Sequence, residues 1–296
     1  MITPKTCLPA ALILMAALPA SLHAHRQWML PSSTVLSGND AWVTVDAAVS
    51  NELFYFDHVP MRLANLSITG PNGSAVKAEN PATGKYRSTF DIHLAGPGTY
   101  KIAMVSNTVF ASWQESGQQK NWRGNAADFA AQIPAGATDL QSSKMNSRIE
   151  AFVTAGKPST KALEPSGVGL ELVPVTHPND LFAGESATFQ LLLDGKPAAG
   201  LEVTIIPGGI RYRDQLHEIK TRTAADGKFT VAFKDPGMYW LNATTAPARA
   251  EGPAPAGPRP PVSAAARTGG PGAGGPMRMP AGNRASYTAT LEVLPQ

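Results

Sequence analysis

The feature that most constrains this chain is its punctuation: 26 Pro and 27 Gly are spread over 296 residues and cut the apolar residues into short runs. Runs of that length, alternating and rich in β-branched and aromatic residues, read as strands at 41–49, 66–69, 88–94 and 100–105. The second half repeats the logic at 167–174, 186–193, 201–206, 228–233, 238–243 and 286–294. Between the runs stand turn sequences: Gly70-Pro71-Asn72-Gly73, Ala95-Gly96-Pro97-Gly98, Asp194-Gly195 and a hairpin signal at Asp226-Gly227. This spacing predicts an all-β protein built of immunoglobulin or transthyretin-like sandwiches. Pro97-Gly98-Thr99-Tyr100 is answered by Pro236-Gly237-Met238-Tyr239, each following an apolar run and opening the next. The echo predicts two related sandwich domains, 25–160 and 166–296, with a linker around 156–166. A polar stretch, 112–144, carries a short helical insertion at 126–133, with Asn125 as N-cap and Pro134 as stop, and 147–154 closes the first domain as a strand.

Two segments stand outside this pattern. Residues 1–24 have the form of an export signal, with Lys5 ahead of an apolar run over 8–18 and then small residues. Cleavage after Ala20 or after Ala24 is compatible with it, and the second makes His25 the N-terminus. The expected location is the periplasm. No other stretch approaches the roughly 18 apolar residues of a membrane span, so no transmembrane segment is expected after signal cleavage. Cys7, the single cysteine, lies in the signal, which excludes disulfides, thiolate metal sites and Cys nucleophiles from the exported chain. The second segment is 246–285, whose 40 residues include 9 Pro and 8 Gly and no Leu, Ile or Phe. It cannot build a core, and it reads as a long disordered hairpin loop between the last two strands. Five arginines against Glu251 make it basic. The net charge of the whole chain is only +3, which gives nucleic-acid binding no support.

Chemistry must then come from the histidines of the exported chain: His25, His58, His93, His177 and His217. A free α-amine on His25, with a pKa of about 7.7 to 8.0, can close a compact chelate ring with its own imidazole. His58 is the leading partner, and the adjacent Asp57 can ligate or orient a ring. His177, in Thr176-His177-Pro178-Asn179-Asp180, is the next candidate. From His25 onward no HxH, HxxxH or HExxH spacing occurs. Trp28, Trp42 and Trp240 lie in strand patterns and read as core. No nucleophile elbow, phosphate loop or dinucleotide fingerprint is present, so no motif argues for catalysis.

A resemblance adds to this reading. The start Ala24-His25-Arg26-Gln27-Trp28-Met29-Leu30-Pro31-Ser32, the Phe56-Asp57-His58 segment, Gly169 to Pro174 with Thr176 to Leu181, Gly184-Glu185 and Asp194-Gly195-Lys196-Pro197 resemble a family of exported bacterial proteins. That family carries a domain of unknown function and is labelled a periplasmic component of cobalt or nickel uptake, related to the NikM proteins. Its members place a His directly after the signal, which favours cleavage after Ala24. The resemblance implies a non-catalytic metal-binding accessory protein whose partners are the ion and a membrane transporter component. With nitrogen and oxygen donors and no thiolate, the expected ion is divalent: Ni, Co, Cu or Zn. Two other classes are compatible with the residues: a sandwich module binding a protein or glycan, and a copper oxidase resembling the polysaccharide monooxygenases, which also begin with a chelating His.

Overall fold

The computed structural model describes residues 25–38, 40–245 and 282–296. The expected export signal, 1–24, and most of the Pro/Gly-rich segment therefore lie outside the described residues. The longer strands of the first half are β1 (Arg26–Pro31), β2 (Ala41–Ser50), β3 (Leu66–Thr69), β4 (Glu79–Thr83), β5 (Ser88–Leu94), β6 (Gly98–Glu115) and β7 (Gln118–Asn125). After the single-turn helix α1 (Phe129–Gln132) comes β8 (Thr138–Ala155). The second half holds β9 (Leu170–Pro174), β10 (Ser186–Leu193), β11 (Glu202–Pro207), β12 (Ile219–Arg222), β13 (Lys228–Ala232), β14 (Gly237–Thr244) and β15 (Arg284–Val293). The protein is all-β, and no helix among the described residues is long and apolar enough to cross a membrane.

Two sandwiches share one sheet. The central sheet of ten strands has β12-β11-β14-β15-β8-β6-β3 as its order of longer strands, with β7 pairing β6 at the side. A five-stranded sheet, β1-β2-β5-β4 with a short strand beside β2, packs on one face of its first half. Met29, Val43, Val45, Phe90 and Ile92 there meet Ile102, Met104, Ile149, Ala151 and Val153. A four-stranded sheet containing β9, β10 and β13 packs on the opposite face of its second half, where Leu172, Phe189, Leu191 and Val231 meet Phe152, Ile205, Leu241, Tyr287 and Leu291. Strand β8 serves both cores, so its residues 148–155 are buried without interruption on both faces. The halves are thus joined by more than the 156–166 linker: β8 runs parallel to β15 from Met145↔Arg284 to Ala151↔Thr290.

The sequence echo has a structural counterpart. Gly98 and Gly237 both take positive φ, 128° and 138°, at the start of β6 and β14. Two residues on, each Tyr folds back over the turn: the Tyr100 hydroxyl donates to the Gly96 carbonyl at 2.8 Å and the Tyr239 hydroxyl to the Asp235 carbonyl at 2.8 Å. The same Pro-Gly-x-Tyr corner is built once in each half.

Several expectations need correction. The helix expected at 126–133 contracts to Phe129–Gln132; Asp128 stands at its N-cap without a side-chain bond, and Asn125 Oδ1 instead accepts the Ala127 N–H at 3.1 Å as β7 ends. The polar stretch 112–144 is largely strand, because β6 and β8 each continue to 18 residues and β7 pairs β6 across the turn at Ser116-Gly117. Asp226-Gly227 joins β12 in the central sheet to β13 in the four-stranded one, a crossing and not a hairpin. Arg284 and Ala285, expected in the flexible segment, open β15, with Ala285 buried. The expected pairing of the strands flanking that segment holds, with Thr244 opposite Ser286. Trp28 and Trp240 are core residues, but Trp42 is 44% exposed and stacks on His93 at 4.6 Å.

Candidate functional site

The shared sheet creates an open cleft. The five-stranded sheet covers only part of one face of the central sheet, and the remainder of that face, on β8, β15, β14 and β11, carries Ser147, Ser286, Thr288, Asn242 and Thr204. In-register neighbours align these side chains as one polar floor, since Thr204 pairs Asn242, Asn242 pairs Thr288, and Ser286 pairs Ser147. The cleft encloses about 1630 Å³ between this floor, the start of β1 and two irregular loops.

Those loops are 51–58 and 208–217, and a third small core fixes them. Trp28, Ala48, Leu53, Ile206, Ile210 and Trp240 are buried together, with Phe54, Phe56 and Leu216 packed against them. Trp28 donates its indole N–H to Ser50 Oγ at 2.7 Å, and Trp240 donates to the Gln27 carbonyl at 3.0 Å, tying β1 to both halves. Phe54 adopts a left-handed φ of 60°, which is unfavourable for a bulky L-residue. Its ring meets Trp28 edge-on at 5.5 Å and lies against Gly208, where a Cβ would stand 3.0 Å from the Phe54 ring. Packing of that ring holds the strained loop in place. On the other loop Arg213 donates to the carbonyls of Gly208, Gln215 and Leu216, so its charge closes the loop on itself.

This framework brings His25 and His58 together. Their ring centroids are 3.8 Å apart with planes 5° from parallel; His25 is exposed at the end of β1 and His58 half-buried at the end of the first loop. His25 lines the cleft. Asp57 is placed differently from a ligand: its carboxylate accepts the backbone N–H groups of Asn51 at 2.9 Å and Glu52 at 3.3 Å, shaping the loop that presents His58. His177 stands apart, in the seam between the sandwiches, with Nε2 3.0 Å from Thr99 Oγ1 and Nδ1 accepting the Asn179 N–H at 3.2 Å. Burial pushes its imidazole below the ordinary value, against the opposing pull of the Ser159 carbonyl and the Asp180 carboxylate. His93 pairs with Asp40 at 2.8 Å on the outer face of the first sandwich, and His217 sits exposed with φ 50° at the end of the second loop. Among the described residues no three His, Asp or Glu side chains are grouped to hold an ion by themselves.

Sequence reasoning missed the charged lining of the cleft. Arg26 donates to the Asn51 carbonyl at 3.0 Å; burial lowers its pKa, and the Glu218 charge works against that shift. Arg211 lies 3.8 Å over the Tyr55 ring and 3.5 Å from Glu52. Arg62 and Arg123 are exposed in the same cleft without a carboxylate partner among the described residues, and Arg123 lies 5.2 Å over Phe110. The alternation of hydroxyl residues along SYTATL in the last strand was the visible trace of the polar floor.

Similarity to known proteins is informative at the level of family. No curated protein matches the chain. Among solved structures it is similar to the D0-D1 domain of intimin, with 12% identity, a TM-score of 0.19 and coverage of 73% of this chain and 88% of that one. It is also similar to Escherichia coli alpha-2-macroglobulin activated by porcine elastase, with 10% identity, a TM-score of 0.19 and coverage of 74% and 29%. A third is dimeric latent PorU from Porphyromonas gingivalis, with 10% identity, a TM-score of 0.18 and coverage of 91% and 20%. Scores this low support no argument about function. The family described as a domain of unknown function, DUF4198, matches residues 22–246, a span that holds His25, His58, both cleft loops and every described strand before the last. The chain belongs to the DUF4198 family.

Proposed function

We propose that the exported protein is a non-catalytic, periplasmic metal-binding accessory protein that holds one divalent transition ion (Ni, Co, Cu or Zn) through His25 and His58. It would deliver the ion to a membrane transporter component in cobalt or nickel uptake. The observation that carries this reading is the approach of the two rings to 3.8 Å at the cleft. Cleavage after Ala24 adds the His25 amine, which makes three nitrogen donors. The donor set fits such an ion: imidazole and amine suit Ni(II), Co(II), Cu(II) and Zn(II), and no thiolate is available to select Cu(I). Imidazole lone pairs lie in the ring planes, and parallel planes 3.8 Å apart never meet, whereas metal–nitrogen bonds are about 2.0 to 2.1 Å. Binding therefore requires one ring to turn. The His25 ring is exposed and its terminal torsion is broad, so the turn is inexpensive.

Intact-mass measurement of periplasmic material first establishes whether the chain begins at His25. Calorimetric titration then compares this form with one carrying an extra N-terminal residue and with His58→Ala. One equivalent binds to the native form, copper most tightly under the usual affinity order, and each change weakens binding by roughly tenfold or more. An extended N-terminus that binds as well as the native one removes the chelate from the reading.

A further inference from the structure

We infer that the ion reaches this protein already chelated, and that the cleft beside His25 and His58 takes a transition ion carrying a small polycarboxylate. The inference rests on the metal-binding reading above and names the form of its substrate. Three observations carry it. The first is incompleteness: two imidazoles and one amine leave coordination positions open, and Asp57, the nearest carboxylate in sequence, is spent on the Asn51 and Glu52 amides. No other group of ligating side chains completes the sphere among the described residues.

The second is size. A cleft of about 1630 Å³ is far larger than a bare or hydrated ion needs, given that a water occupies only about 30 Å³.

The third is charge. Arg62 and Arg123 face the cleft without acidic partners among the described residues. Arg284 continues the same sheet face just outside the cleft lining, and its buried Nε has no hydrogen-bond partner among the described residues. Of the cleft carboxylates, Glu52 pairs with Arg211 and Glu218 with Lys220, leaving Asp214. Unpaired guanidinium groups repel a bare cation but match carboxylates in charge and in fork geometry. The hydroxyl groups of Ser147, Ser286 and Thr288 supply further donors to such oxygens, whereas Asn242 spends its amide N–H groups on the Tyr287 carbonyl and Thr288 Oγ1. A chelate that presents carboxylates to the arginines and open metal positions to His25 and His58 satisfies all three features.

The test uses the full exported chain beginning at His25 and four probes: aqueous Ni(II), the Ni(II)–citrate complex, citrate alone, and Ni(II)–ethylenediamine as a cationic chelate. Ni(II)–citrate binds at least about tenfold more tightly than aqueous Ni(II), and both other probes bind more weakly than it does. The double variant Arg62→Ala, Arg123→Ala loses this advantage while keeping its affinity for aqueous Ni(II); both residues are exposed, so the fold is retained. His58→Ala weakens both nickel forms. Equal binding of aqueous Ni(II) and Ni(II)–citrate, or an arginine variant indistinguishable from wild type, overturns the inference and leaves the metal reading standing. Citrate alone binding as tightly as its nickel complex also overturns it, since the cleft is then an anion site without a metal. Failure of every nickel form to bind removes both readings.

Discussion

Replacing Arg148 by Met tests the chemistry that joins the two sandwiches. The guanidinium is 9% exposed and lies 3.2 Å from Glu150 Oε1 and 3.2 Å from Glu171 Oε1, carboxylates that are each 3% exposed. It also donates to Ser166 Oγ at 3.0 Å and to the Val168 carbonyl at 3.3 Å, on the chain that opens the second half. Tyr287 completes the cluster by donating to Glu150 Oε2 at 2.8 Å. Burial, reinforced by Glu150, pushes that phenol well above its ordinary range and keeps it a donor. Methionine keeps much of the volume and removes the charge, leaving two buried carboxylates without a cation. Removing one partner from a buried ion pair costs about 3 to 5 kcal/mol, which for a protein of this size lowers Tm by roughly 10 °C. The pH dependence separates charge from packing. In the native protein, burial alone raises the Glu171 carboxyl, but the Ser166 and Gly167 hydrogen bonds and the Arg148 charge outweigh it and hold it below the ordinary value. A depressed folded pKa gives stability that is present above the unfolded pKa, about 4.3, and is lost as pH falls through the folded pKa. Without Arg148 that contribution shrinks, so wild type and variant differ most near pH 7 and converge as pH falls below about 4.3, through the folded pKa. Urea unfolding at pH 7 and at about pH 3.5, below the unfolded pKa, measures this. A difference of less than about 1 kcal/mol at pH 7, or one that does not narrow on acidification, refutes the reasoning.

The repeated corners give a paired prediction. Tyr100→Phe removes a hydroxyl that both donates to the Gly96 carbonyl and accepts its N–H, whereas Tyr239→Phe removes a single bond to the Asp235 carbonyl. The first is therefore expected to cost about 1 to 2 kcal/mol and the second about 1 kcal/mol, read from denaturant midpoints at constant slope. Replacing residues 246–281 with an Asn-Gly turn is expected to move Tm by no more than a few degrees, because Thr244 already pairs with Ser286 and Thr245 donates its N–H to the Ala285 carbonyl at 2.9 Å. A fall of tens of degrees in scanning calorimetry would mean that the segment contributes to the core.

The strands that alternate were legible because each has one wet face: β5 reads buried and half-buried by turns from Ser88 to Leu94, and its sequence shows that period directly. The outer half of the β6–β7–β8 ribbon was illegible for the converse reason. Residues such as Gln118, Gln119, Lys120 and Asn121 are exposed on both faces and held mainly by backbone pairing, so no apolar period betrays the strand. Trp42 misled because a strand pattern gives period without saying which face is covered; its face looks outward, where it stacks on His93. The approach of His25 to His58 was legible as chemistry, from donors and the absence of thiol. The cleft was not, because it arises where β8 pairs with β15, a contact between positions about 140 residues apart that no local signal encodes.

That parallel pairing also governs what the cleft is able to do. Two-lobed capture proteins commonly close on their cargo by swinging about a hinge. Here the lobes are continuous through a ladder of seven register pairs between β8 and β15 and are riveted again by the buried Arg148 cluster. A swing would have to tear that ladder. The ladder therefore fixes the width of the mouth, and adaptation to any ligand falls to side chains such as the His25 ring and Arg62 and Arg123, which lack acidic partners among the described residues. Under the proposed carrier reading, release would need no opening, and a docking partner would need only to offer better ligands at the rim.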